Sequence, residues 1–285
     1  MNDVMNHSNL PIFEVSPRAT DFIVTIYGDV VEPRGGILWM GTLIDCCAQH
    51  GISESLVRTA VSRLVGLGRL QGERIGRKSY YRLSRAARDE FRDAARILFA
   101  PPPEPSGWLL ALSCDGRDLN WPRGWARLAP GVGLGPDRPD LARPSGVLFC
   151  AHALERSGLE EVAAQNWDLM KVAARYQAFT ERFAPFVDFD FGGLSDREAL
   201  AIRLRLVDDF RHAALADPRL PPEALPTKWP ATAARHLFGV LYLALSPASD
   251  RYIGRHFANS EGLLDQGSEA TLRRTETLKR SLPQP

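Results

Sequence analysis

Ser55, Arg58, Thr59, Ser62 and Arg63 recur at three- and four-residue spacing, so a helix over this stretch carries them on one side. Their types suit reading a nucleic-acid duplex. An arginine fork fits O6 and N7 of guanine, and serine or threonine hydroxyls reach bases or phosphates. Just downstream, Arg74, Arg77 and Lys78 surround Gly76, with Tyr80 and Tyr81 behind them. Cations at such a tip would neutralise backbone phosphates, each adding about 0.9 to the magnitude of the log–log salt slope. A polar helical face is by itself more often merely solvated, so the elements that hold these residues decide the reading.

Those elements are legible. The other side of the same stretch is apolar: Leu56, Val57, Ala60, Val61, Leu64 and Val65, behind Ser53 as N-cap. This predicts a helix packed on a core. Upstream, Ala19, Phe22, Ile23, Ile26, Tyr27 and Val30 predict an amphipathic helix over 17–30, broken by Pro33, Gly35 and Gly36. Residues 37–39 can form a short strand, and Leu43, Ile44 and Cys47 mark a second helix that ends at Gly51. Residues 69–74 and 78–83 read as two strands joined by a glycine-containing turn. A helix, a tight turn, a second helix and a basic two-stranded wing follow the winged helix-turn-helix order. Tyr80 and Tyr81 alternate faces in that wing, one packing on the core and the other reaching the backbone of a duplex.

Composition bounds the rest. The 285 residues suggest two domains, or three small ones, at about 150 residues each. A hydrophobic fraction of 45% and a charged fraction of 24% exclude a mainly disordered chain, a collagen-like repeat or a disulfide scaffold. Net charge is +1, but it is unevenly spread. Residues 1–50 carry 2 basic and 6 acidic side chains, whereas 51–100 carry 11 and 5, and 52–82 alone carry 7 and 2. One cationic block in a neutral chain is the footprint of a single polyanion-binding module, or of a solvated arginine-rich helix. Cys46, Cys47, Cys114 and Cys150 show no metal-ligand spacing and read as small apolar filler in a reducing compartment. No HExxH occurs, and no apolar run is long enough to span a bilayer. The polar first ten residues resemble no secretory leader, and a cytoplasmic location is expected. No catalytic group, metal site or cofactor is expected.

Long stretches of the module resemble the PaaX family of phenylacetate-degradation repressors. They are Ile26-Tyr27-Gly28-Asp29, Gly36-Ile37-Leu38-Trp39, Gly51-Ile52-Ser53-Glu54, the run Val57-Arg58-Thr59-Ala60-Val61-Ser62-Arg63-Leu64-Val65, and Gly76-Arg77-Lys78-Ser79-Tyr80-Tyr81-Arg82-Leu83. Asp217-Pro218, Leu220-Pro221, Leu225-Pro226 and Trp229-Pro230, before a helix containing Arg235 and Tyr242, extend the likeness to about residue 258. The resemblance implies a homodimeric repressor that binds double-stranded operator DNA and is released by an aryl-acyl-CoA such as phenylacetyl-CoA. A paralogue could answer to a different CoA thioester.

The expected fold is therefore an α+β multidomain chain. It has a winged-helix DNA-binding domain at 16–100, a ferredoxin-like dimerisation domain at 106–170, and a mainly helical effector-binding domain at 171–260. A helix after Ser84, with Ala87, Phe91, Ala94 and Leu98 on one face, stops at the stiff Pro101-Pro102-Pro103-Glu104-Pro105 segment. Beyond it, a strand at 108–113, a helix at 122–128, strands at 132–134 and 146–151, a helix at 159–166 and a strand at 167–169 give the ferredoxin-like order. Trp108, Leu110 and Leu112 alternate along the first strand, leaving an apolar face that a second copy could cover. The family's central domain resembles a small CRISPR nuclease. That likeness supplies one enzyme alternative, a Mg²⁺-dependent nuclease using Asp115, although Asp115 beside Gly116 also suits a plain turn.

In the last region, helices are expected at 171–183, from the Ser195–Glu198 capping box to about 216, and at 231–245, with a frayed tail from 259. An acyl-CoA needs an apolar slot and cations for its phosphates. Trp167, Phe179, Phe183, Phe186, Phe189, Phe191, Trp229 and Tyr242 are candidates for the first, and equally for ordinary core. Arg175, Arg182, Arg211 and Lys228 are candidates for the second, and equally for ordinary surface charge.

Overall fold

A computed structural model of the chain describes residues 11–114, 117 and 119–282. In chain order the elements are α1 (Ala19–Ile26), β1 (Ile37–Trp39), α2 (Met40–Ala48), α3 (Glu54–Gly66), β2 (Leu70–Ile75), β3 (Lys78–Leu83) and α4 (Arg85–Phe99). There follow β4 (Trp108–Leu112), β5 (Ala126–Ala129), β6 (Val132–Pro136), β7 (Val147–Ala151) and α5 (Leu159–Asn166). Last come α6 (Leu169–Phe183), α7 (Asp196–Ala214), α8 (Ala231–His256) and α9 (Glu269–Ser281). No helix among the described residues is long and apolar enough to cross a membrane.

The chain divides into two compact units, otherwise than the three successive domains expected. The first groups Met1–Ala100 with Phe179–Arg211 and Ala233–Pro285; the second groups Pro101–Ala178 with His212–Thr232. The boundary after Ala100 falls at the proline-rich stop. The physical reason for the different grouping is burial. Leu200 and Leu204 of α7, Ile253 of α8, Phe257 and Leu264 share one core with α1, α2 and α3. Part of the C-terminal region therefore completes the N-terminal core.

In the first unit, β1, β3 and β2 make an antiparallel sheet in that order, with Trp39 opposite Tyr80 and Ile75 opposite Lys78. Ser84 Oγ accepts the Ala87 N–H at 3.2 Å and starts α4 as expected. Arg235 ends it, donating to the carbonyls of Ile97, Leu98 and Ala100, which have no partner further along the helix. The capping box at Ser195 and Glu198 is formed. Val172, Tyr176, Phe179 and Phe183 of α6 are all buried. Phe179 and Phe183 join Phe210 and Phe238, whose rings stack at 4.2 Å, so these aromatics are core.

Among the described residues, the tail expected to fray is packed and hydrogen-bonded as far as α9. Trp39 N–H donates to the Ala258 carbonyl at 2.8 Å, Leu264 and Leu278 are buried, and Ser268 and Thr271 cap α9 reciprocally. Buried charge ties the same parts together. Arg203 lies between two carboxylates, its Nη1 donating to Asp250 Oδ1 at 2.8 Å and its Nε 3.1 Å from Asp29 Oδ2. Tyr242 OH donates to Asp29 Oδ1, and Arg34 donates to Asp250. Burial opposes the charge on Arg203, but Asp29, Tyr242 and Asp250 outweigh it and raise its pKa above the ordinary value.

The second unit departs from the ferredoxin-like reading. The helix expected at 122–128 is strand β5 in its second half, no strand forms at 167–169, and α5 follows the last strand. Four antiparallel strands, ordered β5-β6-β4-β7, come before any helix. The stretch around Trp125 is too short for periodicity to separate helix from strand. Trp125 packs with Leu109, Ala111 and Leu141 on one face of the sheet. On the other, Trp108 packs with Ala163 and Leu169. Toward the far end of that second face, Val147 and Phe149 are exposed, each at 47%.

Candidate nucleic-acid interface

The turn between α2 and α3 is closed by backbone bonds from His50 and Ile52 to the Cys47 carbonyl and from Gly51 to that of Ala48. Gly51 sits at φ 72, a backbone conformation that favours glycine. Cys46 and Cys47 are buried in the same core, where burial pushes the Cys47 thiol up to about 12. Cys114 and Cys150, expected to be filler as well, are instead exposed. His50 is buried against Phe13 and Phe22.

Helix α3 buries Val57, Ala60, Val61 and Leu64. Leu56 and Val65, expected on the core side, are exposed, Leu56 at 54%. The core takes a narrower stripe than the apolar positions offer, because both residues lie at its margins. Ser53 occupies the N-cap position, but its hydroxyl contacts Ser55 Oγ at 3.1 Å and accepts no helix N–H.

Ser55, Arg58, Thr59, Ser62 and Arg63 are all exposed on α3, as the spacing predicts. Thr59 Oγ1 donates back to the Ser55 carbonyl at 2.9 Å. Arg58 Nε donates to Glu54 Oε1 at 2.8 Å, one turn earlier. That pair is more than half exposed at both ends and so costs little to exchange for a phosphate or a base.

At the hairpin tip, β2 and β3 are joined by Gly76 and Arg77, with positive φ at Gly76 alone, the pattern of a II′ turn. Arg74 and Arg77 are exposed there, and Arg74 Nε donates to the Gly76 carbonyl at 3.2 Å. Lys78 Nζ lies 4.7 Å over the Trp39 ring, so the first strand of the sheet steadies a wing cation. Tyr80 is corrected: it is only 8% exposed. It stands beside Trp39 on the face of the sheet away from Tyr81 and the core, and so little of its ring is exposed that it is not offered to a duplex. Tyr81 is half-buried against the core, and its carbonyl accepts from Tyr27 OH at 3.0 Å.

The four candidate cations and Trp229 divide between the two units. Arg182 pairs with Asp209, and Arg211 donates to Thr25 Oγ1 and the Asp21 carbonyl, both within the first unit. Arg175, Lys228 and Trp229 belong to the second unit. There Arg175 donates to the His212 carbonyl at 3.1 Å and Trp229 Nε1 to Asp217 Oδ2 at 3.4 Å, while Lys228 is exposed. Two arginines of that unit, the buried Arg138 and the half-buried Arg219, are not marked by the sequence. They lie in separate loops 81 positions apart, and nothing in their local patterns sets them apart. Asp115 lies outside the described residues. Among the described residues, no group of three or more His, Cys, Asp or Glu could hold a metal ion.

Comparison with known proteins places these elements. A family model described as PaaX-like protein matches residues 18–87, which span α1 to the start of α4. A second, described as PaaX-like protein C-terminal domain, matches 167–255. The chain is 33% identical over 278 residues to the transcriptional repressor PaaX of Escherichia coli (strain K12), covering 88% of this chain and 87% of that one. A solved structure, the uncharacterized protein Rv0674 from Mycobacterium tuberculosis, is similar at a TM-score of 0.43 and 22% identity, over 74% of this chain and 89% of that one.

Proposed function

The chain belongs to the PaaX-like family, and from that membership we propose that it is a DNA-binding transcriptional repressor whose N-terminal module acts as a winged helix-turn-helix. One observation carries the reading. The side of α3 that faces solvent presents Ser55, Arg58, Thr59, Ser62 and Arg63 from a helix whose other side is buried, and Arg74, Arg77 and Lys78 sit at the tip of the following hairpin. A helix enters the major groove with its exposed side chains toward base edges, while cations on a wing neutralise flanking phosphates.

Two copies, joined through the exposed end of the second unit's sheet, would hold two α3 helices over half-sites about 10 bp or a multiple apart. Occupying such a site near a promoter blocks polymerase. The regulated genes would serve aromatic, phenylacetate-type catabolism, and the releasing effector would be an aryl-acyl-CoA such as phenylacetyl-CoA. The core shared between α1–α3 and the C-terminal helices supports a coupled response, since the wing module has no independent core to insulate it. A ligand shifts the binding-competent arrangement only by its differential affinity for the two arrangements.

Gel shifts with the protein's own upstream promoter fragment test the reading, repeated with added phenylacetyl-CoA. Saturable retention at low salt, reversed by the thioester, is expected. Reciprocity requires operator DNA to weaken thioester binding by the same factor. Equal thioester affinity with and without DNA would remove the allosteric part. Retention of random duplex to the same extent would remove the regulator assignment.

A further inference from the structure

Arg123, Arg138, Arg175 and Arg219 come from four separate segments of the second unit: the β4–β5 connection, the loop after β6, helix α6 and the loop after α7. Like charges gathered from distant positions oppose folding unless something offsets them. Arg138 is only 3% exposed, and neither its Nε nor its Nη1 finds a hydrogen-bond partner. Arg219 has a side chain only 13% exposed, and its Nε and Nη1 are likewise unpartnered. Buried guanidinium N–H groups are strong donors whose lost hydration is costly when nothing accepts from them.

The available carboxylates do not balance the cluster. Asp140 accepts from Arg219 Nη2 at 2.6 Å and lies 3.5 Å from Arg138 Nε, so one acid serves two guanidiniums. Asp217 is taken up by neutral donors: the Arg219 backbone N–H at 2.7 Å, Tyr176 OH at 3.1 Å and Trp229 Nε1 at 3.4 Å. Among the described residues, four arginines against two aspartates leave about two positive charges. Among the described residues, Arg219 is also the non-glycine residue at positive φ, 51°. Such backbone strain persists only where the surroundings over-determine it. Burial first, and then Arg219, push the Arg138 pKa down to about 10, and burial together with Arg175 and Arg219 lowers that of Arg123.

We propose that Arg138 and Arg219, flanked by Arg123 and Arg175, form a binding site for a terminal phosphate group. Guanidinium forks match phosphate oxygens two at a time. An excess of two charges suits a doubly charged phosphate better than a carboxylate. Duplex phosphates do not reach a side chain as buried as Arg138, so the occupant is a small molecule that enters past the exposed Arg123 and Arg175. This deepens the effector reading and rests on it only for the source of the phosphate, which is either free inorganic phosphate or the phosphates of a CoA thioester.

Titration calorimetry on the full-length protein tests the site, with inorganic phosphate and adenosine 3′,5′-bisphosphate as separate probes. Saturable binding of at least one is expected. Tighter binding of the nucleotide points to a CoA, and equal binding points to free phosphate. Arg175→Gln, at an exposed side chain that also donates to the His212 carbonyl, should weaken binding severalfold. Arg138→Met should weaken it ten- to a hundredfold, as loss of a charge-assisted hydrogen bond does. Without ligand, the melting temperature of Arg138→Met should be equal to or above that of the unaltered protein, because an uncompensated buried charge has gone. No saturable binding of either probe, or affinity unchanged in both variants, overturns the proposal. Gel shifts run alongside separate this from the regulator reading: operator binding without phosphate binding sinks only the site.

Discussion

Arg203 Nε stands 3.1 Å from Asp29 Oδ2, joining the middle of α7 to the turn that ends α1, with neither side chain open to solvent. Removing one partner of a buried pair leaves the other charged and unpaired, at a cost of about 3–5 kcal/mol. Arg203→Met and Asp29→Asn should therefore each destabilise the protein by about that much in urea unfolding, and the double variant by clearly less than their sum. Single losses below about 0.5 kcal/mol would contradict the network's role in holding the N-terminal helices to the C-terminal ones.

The two classes of arginine at the candidate interface should behave differently. Arg58→Ala should cost on the order of 1–3 kcal/mol of operator binding and relax base preference at one position. Arg77→Ala should weaken all sequences alike and flatten the log–log salt slope by about 0.9. Anisotropy titrations over a set of single-base operator variants and several salt concentrations distinguish them. Unchanged affinity in Arg58→Ala would misplace the recognition helix.

His50 should make the protein acid-sensitive. Burial, and then Arg205, lower its pKa from 6.5 to about 3. The unfolded chain therefore binds a proton below pH 6.5 that the folded chain refuses. His50 destabilises the fold progressively as pH falls from 6.5 to 3, with a limiting slope of about 1.4 kcal/mol per pH unit. Comparing unfolding of the unaltered protein with His50→Leu between pH 7 and 4 isolates this part. The stability difference should shift in favour of the variant as pH falls, and parallel curves would refute it.

Val147 and Phe149 lie exposed on β7, an edge strand of the second unit's sheet. If two copies meet there, Val147→Lys with Phe149→Lys should convert the dimer to a monomer in light scattering coupled to size exclusion. Operator affinity should fall with it. A dimer that survives both charges places the interface elsewhere.

Much of the candidate interface was legible because it is local. Apolar spacing marked α1 and α3, Ser84 and Ser195 marked helix starts, and Gly76 marked the hairpin tip. What was not legible depends on partners distant in the chain. The burial of Tyr80 follows from pairing with Trp39, and the order of the tail follows from Leu264 and Ala258 packing and bonding to the N-terminal part. The pairing of Asp29 with Arg203 joins positions 174 apart in the chain, and no local pattern marks it. Strand β5 was misread because four residues carry too little periodicity.

The central claim is that the exposed face of α3 and the adjoining hairpin tip read a duplex. The most direct measurement is anisotropy of a labelled promoter duplex at physiological salt, competed by the same duplex unlabelled and by a scrambled one. The account predicts that the promoter competes at least a thousandfold better, the usual margin between specific and non-specific sites. It further predicts that the margin collapses in the double variant Arg58→Ala with Arg63→Ala. Equal competition by both duplexes, or a margin untouched by the two substitutions, would contradict it.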